Sequence, residues 1–400
     1  MLERVMIITG ESSGELYGSF LAAALRERNP GIRLSGVGGE RMRSAGVELL
    51  SGIAGAFGIV EAVGAYRRVR ETFRKVCEAL RSFRPQVLVL IDYPDFNMRV
   101  AREAKREGIR ILYYVSPQVW AWRGKRVKVL GELVDRMAVL FPFEEQLYTE
   151  AGVPCEFVGH PAMDEIGETV RSAGYGVGDI GRQEVRRTFR KDRGMDPGRP
   201  VLVLMPGSRS HEIGRLLPVM AEATREMGRR YPDYQVAVPV APNLDGAAES
   251  AIRSSLEGAG HPALFFTRDA VRTLLAADSA VIASGTSTLQ AALLGVPMVV
   301  VYKLSPLTYW LGRLLVQVRH ISLVNILLDK SVADDSGLRI GELLQGKAGR
   351  ERVMEELGGI IGNASRREEM LAQLEKVRRL FLGKSASLRT AEMVEDLAGG

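Results

Sequence analysis

Asp92 and Asp95 lie in the segment Asp92-Tyr93-Pro94-Asp95-Phe96-Asn97, directly after the continuously apolar run Val87–Ile91. A carboxylate at the end of a buried strand can serve as a general base if it reaches the proton of a substrate hydroxyl. Asp95 and Asn97 have an equally good local use as caps of the helix that follows; Asp92 has no such duty. A second candidate, Thr9-Gly10-Glu11-Ser12-Ser13-Gly14-Glu15, follows the run Val5–Thr9. Gly10 and Gly14 would let a ligand approach the backbone, and the start of the next helix offers unpaired N–H groups to an anion or a hydroxyl-rich molecule. The G-x-S-x-G spacing also fits a hydrolase nucleophile elbow, but that elbow needs several strands before it, and this one follows the first. The G-x-G-x-x-G dinucleotide spacing fails. The run Val115–Arg123 holds Trp120, Trp122 and Arg123, with Lys125, Arg126 and Lys128 beyond. Aromatic rings beside cations suit sugar stacking, acyl chains or a membrane interface; core packing is the competing use of a single Trp.

Two further motifs occupy the second half of the chain. Met205-Pro206-Gly207-Ser208-Arg209 leaves one apolar run and opens a helical pattern, and Ala283-Ser284-Gly285-Thr286-Ser287-Thr288-Leu289-Gln290 does the same. Backbone N–H groups at a helix start together with an arginine can cradle a phosphate. Each alone is also an ordinary strand-to-helix turn. The four histidines show no H-x-x-x-H spacing, so no metal site is expected.

The elements that must position these residues alternate. Strands are expected at Val5–Thr9, Arg33–Val37, Val87–Ile91, Ile109–Tyr114, Arg136–Val139 and Cys155–Val158, with helices between them, including a basic one over Ala65–Phe83 and one over Arg99–Glu107. After a polar stretch the pattern restarts with strands at Val201–Met205, Gln235–Val240, Ala263–Phe266, Ser279–Ala283 and Met298–Val301. Such alternation with short connections gives parallel βαβ units and doubly wound sheets. The expected α/β architecture is therefore GT-B, two Rossmann-like domains with an active-site cleft between them. The expected divisions are a first Rossmann-like domain over residues 1–166, a linker over 167–199, a second Rossmann-like domain over 200–346, and C-terminal helices over 347–400 that pack across the domains.

The 400-residue chain is 46% hydrophobic and 26% charged, which suits a folded protein with a large core. Its net charge of +6 favours an anionic partner such as a phosphorylated substrate or anionic lipid headgroups. Two distant cysteines, Cys77 and Cys155, make neither a disulfide framework nor a thiolate metal motif, and no signal peptide or membrane span is visible.

Taken in order over residues 5–328, these motifs resemble the lipid-A-disaccharide synthase family. The resemblance rests on Gly10–Gly14, Gly58-Ile59-Val60-Glu61, Ile91–Asn97, Val115–Arg123, Phe141-Pro142-Phe143-Glu144, Val158-Gly159-His160-Pro161, Pro206–Arg209, Ser284-Gly285-Thr286 and the run Ser305–Trp310. It implies a transferase that joins UDP-2,3-diacylglucosamine to the 6-hydroxyl of 2,3-diacylglucosamine 1-phosphate. Inversion to the β-1,6 product, release of UDP, and no metal or other cofactor are implied with it. It also implies a cytoplasmic protein peripherally bound to the inner membrane, possibly a homodimer, with no nucleic-acid partner. Asp92 matches the family's essential aspartate, Arg209 its uridine-diphosphate arginine and Asn325 an asparagine of the nucleotide pocket. Ser208, Ser284, Gly285, Thr286 and Gln290 are then the other nucleotide-sugar candidates. Gly10, Glu11, Ser13, Gly14, Trp120, Trp122 and Arg123 are those for the acceptor. Glu15 stands where the family has Asp, Gln290 where it has Glu, and Val324 where it has Pro. A diverged paralogue, either another UDP-sugar transferase or epimerase or a non-catalytic nucleotide- or lipid-binding protein, is the alternative.

Overall fold

A computed structural model describes residues 2–52, 62–117, 126–241, 244–304, 319–332 and 339–399. The chain divides into two compact units. One comprises Met1–Asp164 with Gly383–Gly400, the other Glu165–Leu382.

In the first unit the apolar runs become β1 (Arg4–Thr9), β2 (Arg33–Val37), β3 (Val47–Ser51), β4 (Val87–Ile91), β5 (Arg110–Tyr114), β6 (Arg136–Val139) and β7 (Cys155–Phe157). They form one sheet in the order β3-β2-β1-β4-β5-β6-β7, with every pair parallel. All five residues of β4 are buried, as expected for a central parallel strand covered on both faces. Val76, Leu80, Val100 and Ala104 come from the helices Ala62–Ser82 and Pro94–Arg106 and join one apolar cluster with Leu88, Leu90 and Tyr113. The final helix, Ala386–Gly399, packs on the helix Ser12–Arg28. Ion pairs from Arg389 to Glu156 and from Arg28 to Glu395 hold it there.

The second unit repeats the plan with β8 (Val201–Met205), β9 (Gln235–Pro239), β10 (Leu264–Thr267), β11 (Ser279–Ala283), β12 (Met298–Tyr302) and β13 (Glu342–Leu344), in the parallel order β10-β9-β8-β11-β12-β13. Within residues 167–199 the helix Gln183–Asp192 buries Val185 and Phe189. Its Arg190, 1% exposed, bonds Asp278, the Ala276 carbonyl and the Pro197 carbonyl.

In both sheets the strand order reverses once, between β1 and β4 in the first and between β8 and β11 in the second. Loops leaving the carboxyl ends of such a pair diverge to opposite faces and open a crevice where ligands bind. Gly10–Gly14 and Asp92–Asn97 flank the first reversal. Gly207–Arg209 and Ser284–Thr286 flank the second.

Candidate active site

Asp92 leaves β4 in a conformation that L-residues avoid. Its φ is 47° and that of Tyr93 is 45°, two consecutive non-glycine residues in the left-handed region. Each such residue costs roughly 1–2 kcal/mol, so the surroundings must hold them. Pro94 starts the next helix at its first position, where a missing N–H costs nothing. Asn97 does not cap that helix, because its buried amide turns back. Nδ2 donates to the Asp92 carbonyl at 2.7 Å and to the Ile91 carbonyl at 3.2 Å. The Tyr113 hydroxyl, from β5, donates to the same Asp92 carbonyl at 2.6 Å. Val115, at the end of β5, is likewise left-handed at φ 66°, an outlier for a β-branched residue.

The Asp92 carboxyl is half-buried, and its pKa is pushed up to about 6. Loss of hydration is the main cause and the nearby Glu11 carboxylate the second; the Tyr93 N–H partly opposes them. Glu11 occupies the cap position of the helix Ser12–Arg28 without bonding its N–H groups through its side chain. Since Thr9 pairs with Ile91, the two acidic residues leave adjacent strands at the same height.

Gly10 and Gly14 serve packing where close ligand approach was expected. A Cβ on Gly10 would lie 2.3 Å from Cγ of Tyr93, and one on Gly14 2.0 Å from Oγ1 of Thr9. The space beside each glycine is taken by this chain's own side chains. Glu15 lies in the first unit, where its Oε1 accepts the Arg41 N–H at the start of the helix Glu40–Ser44. Ser13 is exposed in the first helical turn. Trp120, Trp122 and Arg123 lie outside the described residues, as do Gly58–Glu61 and Ser305–Trp310. His160 is buried, its Nδ1 accepts the Ala162 N–H, and desolvation lowers its pKa to about 3, so it stays neutral.

In the second unit Gly207 adopts φ 111°, which lets the chain turn sharply from β8 into the helix Ser210–Arg230. Ser208 and Arg209 are exposed at that turn. Arg209 stands at the cap position, with Nη1 3.3 Å from Oε1 of Glu212. Gly285 caps the helix Thr286–Leu293, and a Cβ there would meet open space. Thr286 is exposed at the first helical position. This glycine, unlike Gly10, leaves room for a ligand beside the backbone. Ser284 hangs its Oγ on the Ile321 carbonyl at 3.1 Å.

Two nucleotide-site candidates are engaged elsewhere. Gln290 donates from Nε2 to Oε2 of Glu165 at 2.8 Å. Asn325 is 1% exposed, and its amide is committed to the chain: Nδ2 donates to the Ile340 carbonyl and to Glu342, while Oδ1 accepts the Ile340 N–H. Asn325 therefore does not present its amide to a ligand; it ties the helix Leu323–Lys330 to the strand edge. Glu342, which no sequence motif marked, gathers the N–H groups of Ile321 and Ser322, the Ser322 hydroxyl and the Asn325 amide. Val324 is fully buried in the same helix. Among the described residues no group of three or more His, Cys, Asp or Glu could hold a metal ion.

Comparison with known proteins adds the lineage to this geometry. Residues 5–394 match the family described as lipid-A-disaccharide synthetase. The lipid-A-disaccharide synthase of Geobacter sulfurreducens is 41% identical over 99% of this chain and 97% of its own. That of Syntrophus aciditrophicus is 40% identical over 97% and 96%. Among solved structures, UDP-GlcNAc 2-epimerase from Neisseria meningitidis bound to UDP-GlcNAc aligns with a TM-score of 0.67 at 9% identity, covering 98% of this chain and 100% of that one. The calicheamicin glycosyltransferase CalG4 aligns at 0.59 and 15% identity over 100% and 99%. At such identities these structures speak for the GT-B fold alone.

Proposed function

The chain belongs to the lipid-A-disaccharide synthase family of glycosyltransferases, and from that premise we propose that it transfers the sugar of UDP-2,3-diacylglucosamine to the 6-hydroxyl of 2,3-diacylglucosamine 1-phosphate. The observation that carries the reading is the division of chemistry between two strand-order reversals. One holds a carboxyl group poised near neutrality, and the other holds an arginine with two helix starts.

Asp92 accepts the proton of the acceptor hydroxyl as that oxygen bonds the anomeric carbon. The bond from that carbon to the diphosphate oxygen breaks in the same displacement, and its electrons leave with UDP. A single displacement inverts the centre, giving the β-1,6 link. A base with a pKa of about 6 is ionised at neutral pH yet still basic enough to take the proton. Arg209 and the N-termini at Ser210 and Thr286 meet the diphosphate charge, which supports a reaction without a metal. Gly285 leaves the nucleotide room against the backbone.

Acylated substrates place the reaction at a membrane surface. Among the described residues no helix is long and apolar enough to cross a membrane. Peripheral attachment then rests on the basic helix Ala62–Ser82. On it Arg74 pairs with Glu78 and Lys75 with Glu71, while Arg67 and Arg70 stand exposed along the same helix and add to its positive field.

Incubation with both substrates, followed by mass spectrometry of the lipid fraction, tests the assignment. The expected products are the tetra-acylated disaccharide 1-phosphate and equimolar UDP. UDP without the disaccharide, or neither product, would refute it.

A further inference from the structure

We infer that Tyr113 and Asn97 are positioning residues for Asp92: together they clamp the carbonyl of Asp92 and so hold its carboxylate in the aim that proton transfer needs. The inference rests on the proposed role of Asp92 as base.

The argument begins with the end of β4. Ile91 still pairs with Tyr114 of β5, and the Asp92 N–H reaches the Tyr114 carbonyl at a long 3.4 Å. Beyond that point the β4–β5 ladder ends, because Asp92 and Tyr93 on one strand and Val115 on the other leave the extended conformation, while the Val115 N–H continues the ladder to β6 at the Ala138 carbonyl. The Asp92 carbonyl thus has no partner in the strand ladder. It points instead at two buried side chains, the Tyr113 hydroxyl at 2.6 Å and the Asn97 amide at 2.7 Å. Both donors are buried to 0% exposure, and each comes from an element with its own anchorage, the core strand β5 and the helix Pro94–Arg106.

Two hydrogen bonds converging on one carbonyl define the plane of the Asp92–Tyr93 peptide. That plane fixes where the Asp92 Cα–Cβ bond points. The left-handed turn is what directs the side chain away from the strand's normal alternation, and without the clamp a residue of this type would relax to the extended region. The Tyr93 ring, lodged over Gly10 and stacked on Phe96 with centroids 5.2 Å apart, closes the turn from the other side. Neither Tyr113 nor Asn97 needs to touch substrate; they act through Asp92.

A double-mutant cycle in the full-length protein separates this role from mere packing. Tyr113→Phe removes one buried oxygen and keeps the ring. It should lower kcat by about 10- to 100-fold, the scale on which a misaimed group loses rate, with both substrate KM values and the UDP Kd within about two-fold. In the Asp92→Asn background the same change should cost no further turnover, since nothing remains to be aimed. A wild-type kcat for Tyr113→Phe overturns the proposal, and so does an equal fractional loss in both backgrounds, which marks a general structural effect. Should Tyr113→Phe not fold, Asn97→Ala taken through the same cycle decides by the same two criteria. Asp92→Asn itself at near-normal turnover would sink the base assignment and this clamp with it. An inactive Asp92→Asn beside an unimpaired Tyr113→Phe removes the clamp alone.

Discussion

A carboxyl group half removed from water and placed near a second carboxylate resists ionisation, and Asp92 experiences both effects. Its acid form does not take a proton, so kcat/KM should fall on the acid side with an apparent pKa near 6. Glu11 contributes by raising that pKa, so removing its charge lowers it. In Glu11→Gln the acid limb should move to lower pH while the plateau is kept; an unmoved or upward-shifted limb in a pH–rate profile contradicts the pairing. At the second site, Gln290 donates to Glu165. A glutamate there would set two carboxylates against each other, and one would have to protonate or turn away. Gln290→Glu should therefore weaken UDP binding by roughly two- to ten-fold, about the net value of one ordinary hydrogen bond, and Glu165→Gln should recover it. Calorimetry showing tighter UDP binding in Gln290→Glu would contradict this. Sequence alone singled out Asp92, Arg209 and Gln290 as candidates but not what each touches. Glu165, Tyr113 and Glu342 are distant in the chain from the groups they hold, so no local spacing announces them.

At the scale of elements, the continuously apolar runs were legible because central parallel strands are buried on both faces. The strands that escaped sequence reading, β3 and β13, lie at sheet edges. β13 has three residues and β3 five, with Glu48 and Ser51 among them, so neither presents a long apolar run. The helix Pro94–Arg106 begins earlier than the Arg99 expected from periodicity, because Asn97 is inside it with its amide folded back on β4 rather than capping. Gly10 was legible as a position that excludes a side chain, but the excluding partner is Tyr93, not a ligand. A methyl group there must push the Tyr93 ring aside and disturb the left-handed turn. Gly10→Ala should lower turnover by at least about ten-fold while UDP affinity, proposed to rest on the second unit, stays near normal. Steady-state kinetics with UDP calorimetry reads both; unchanged turnover would show that the turn tolerates the shift.

At the scale of the molecule, two sheets of the same plan each bring candidate site residues to their one reversal of strand order, and the chain's last helix returns to complete the first unit. The net charge of +6 suits the proposed encounter with phosphorylated, acylated sugars at an anionic surface. Each basic residue near such a surface adds about 1 kcal/mol. Binding to phosphatidylglycerol vesicles should therefore weaken steeply with salt, and Arg67→Glu with Arg70→Glu should reduce it at low salt. Equal sedimentation with neutral and anionic vesicles would contradict an electrostatic attachment. The tryptophan run and the 305–318 segment, legible as motifs, lie outside the described residues, so their part in that surface is an expectation from sequence.

The division of labour between the two reversals is tested most directly by Asp92→Asn, in which the carboxylate is replaced by a group of the same shape that cannot take a proton. Its single-turnover rate of disaccharide formation and its affinity for UDP, measured on one preparation, report the two sites separately. The rate should fall by about a hundred- to ten-thousand-fold, the contribution of a positioned base, with the UDP Kd unchanged. A rate near that of the unaltered protein would contradict the account.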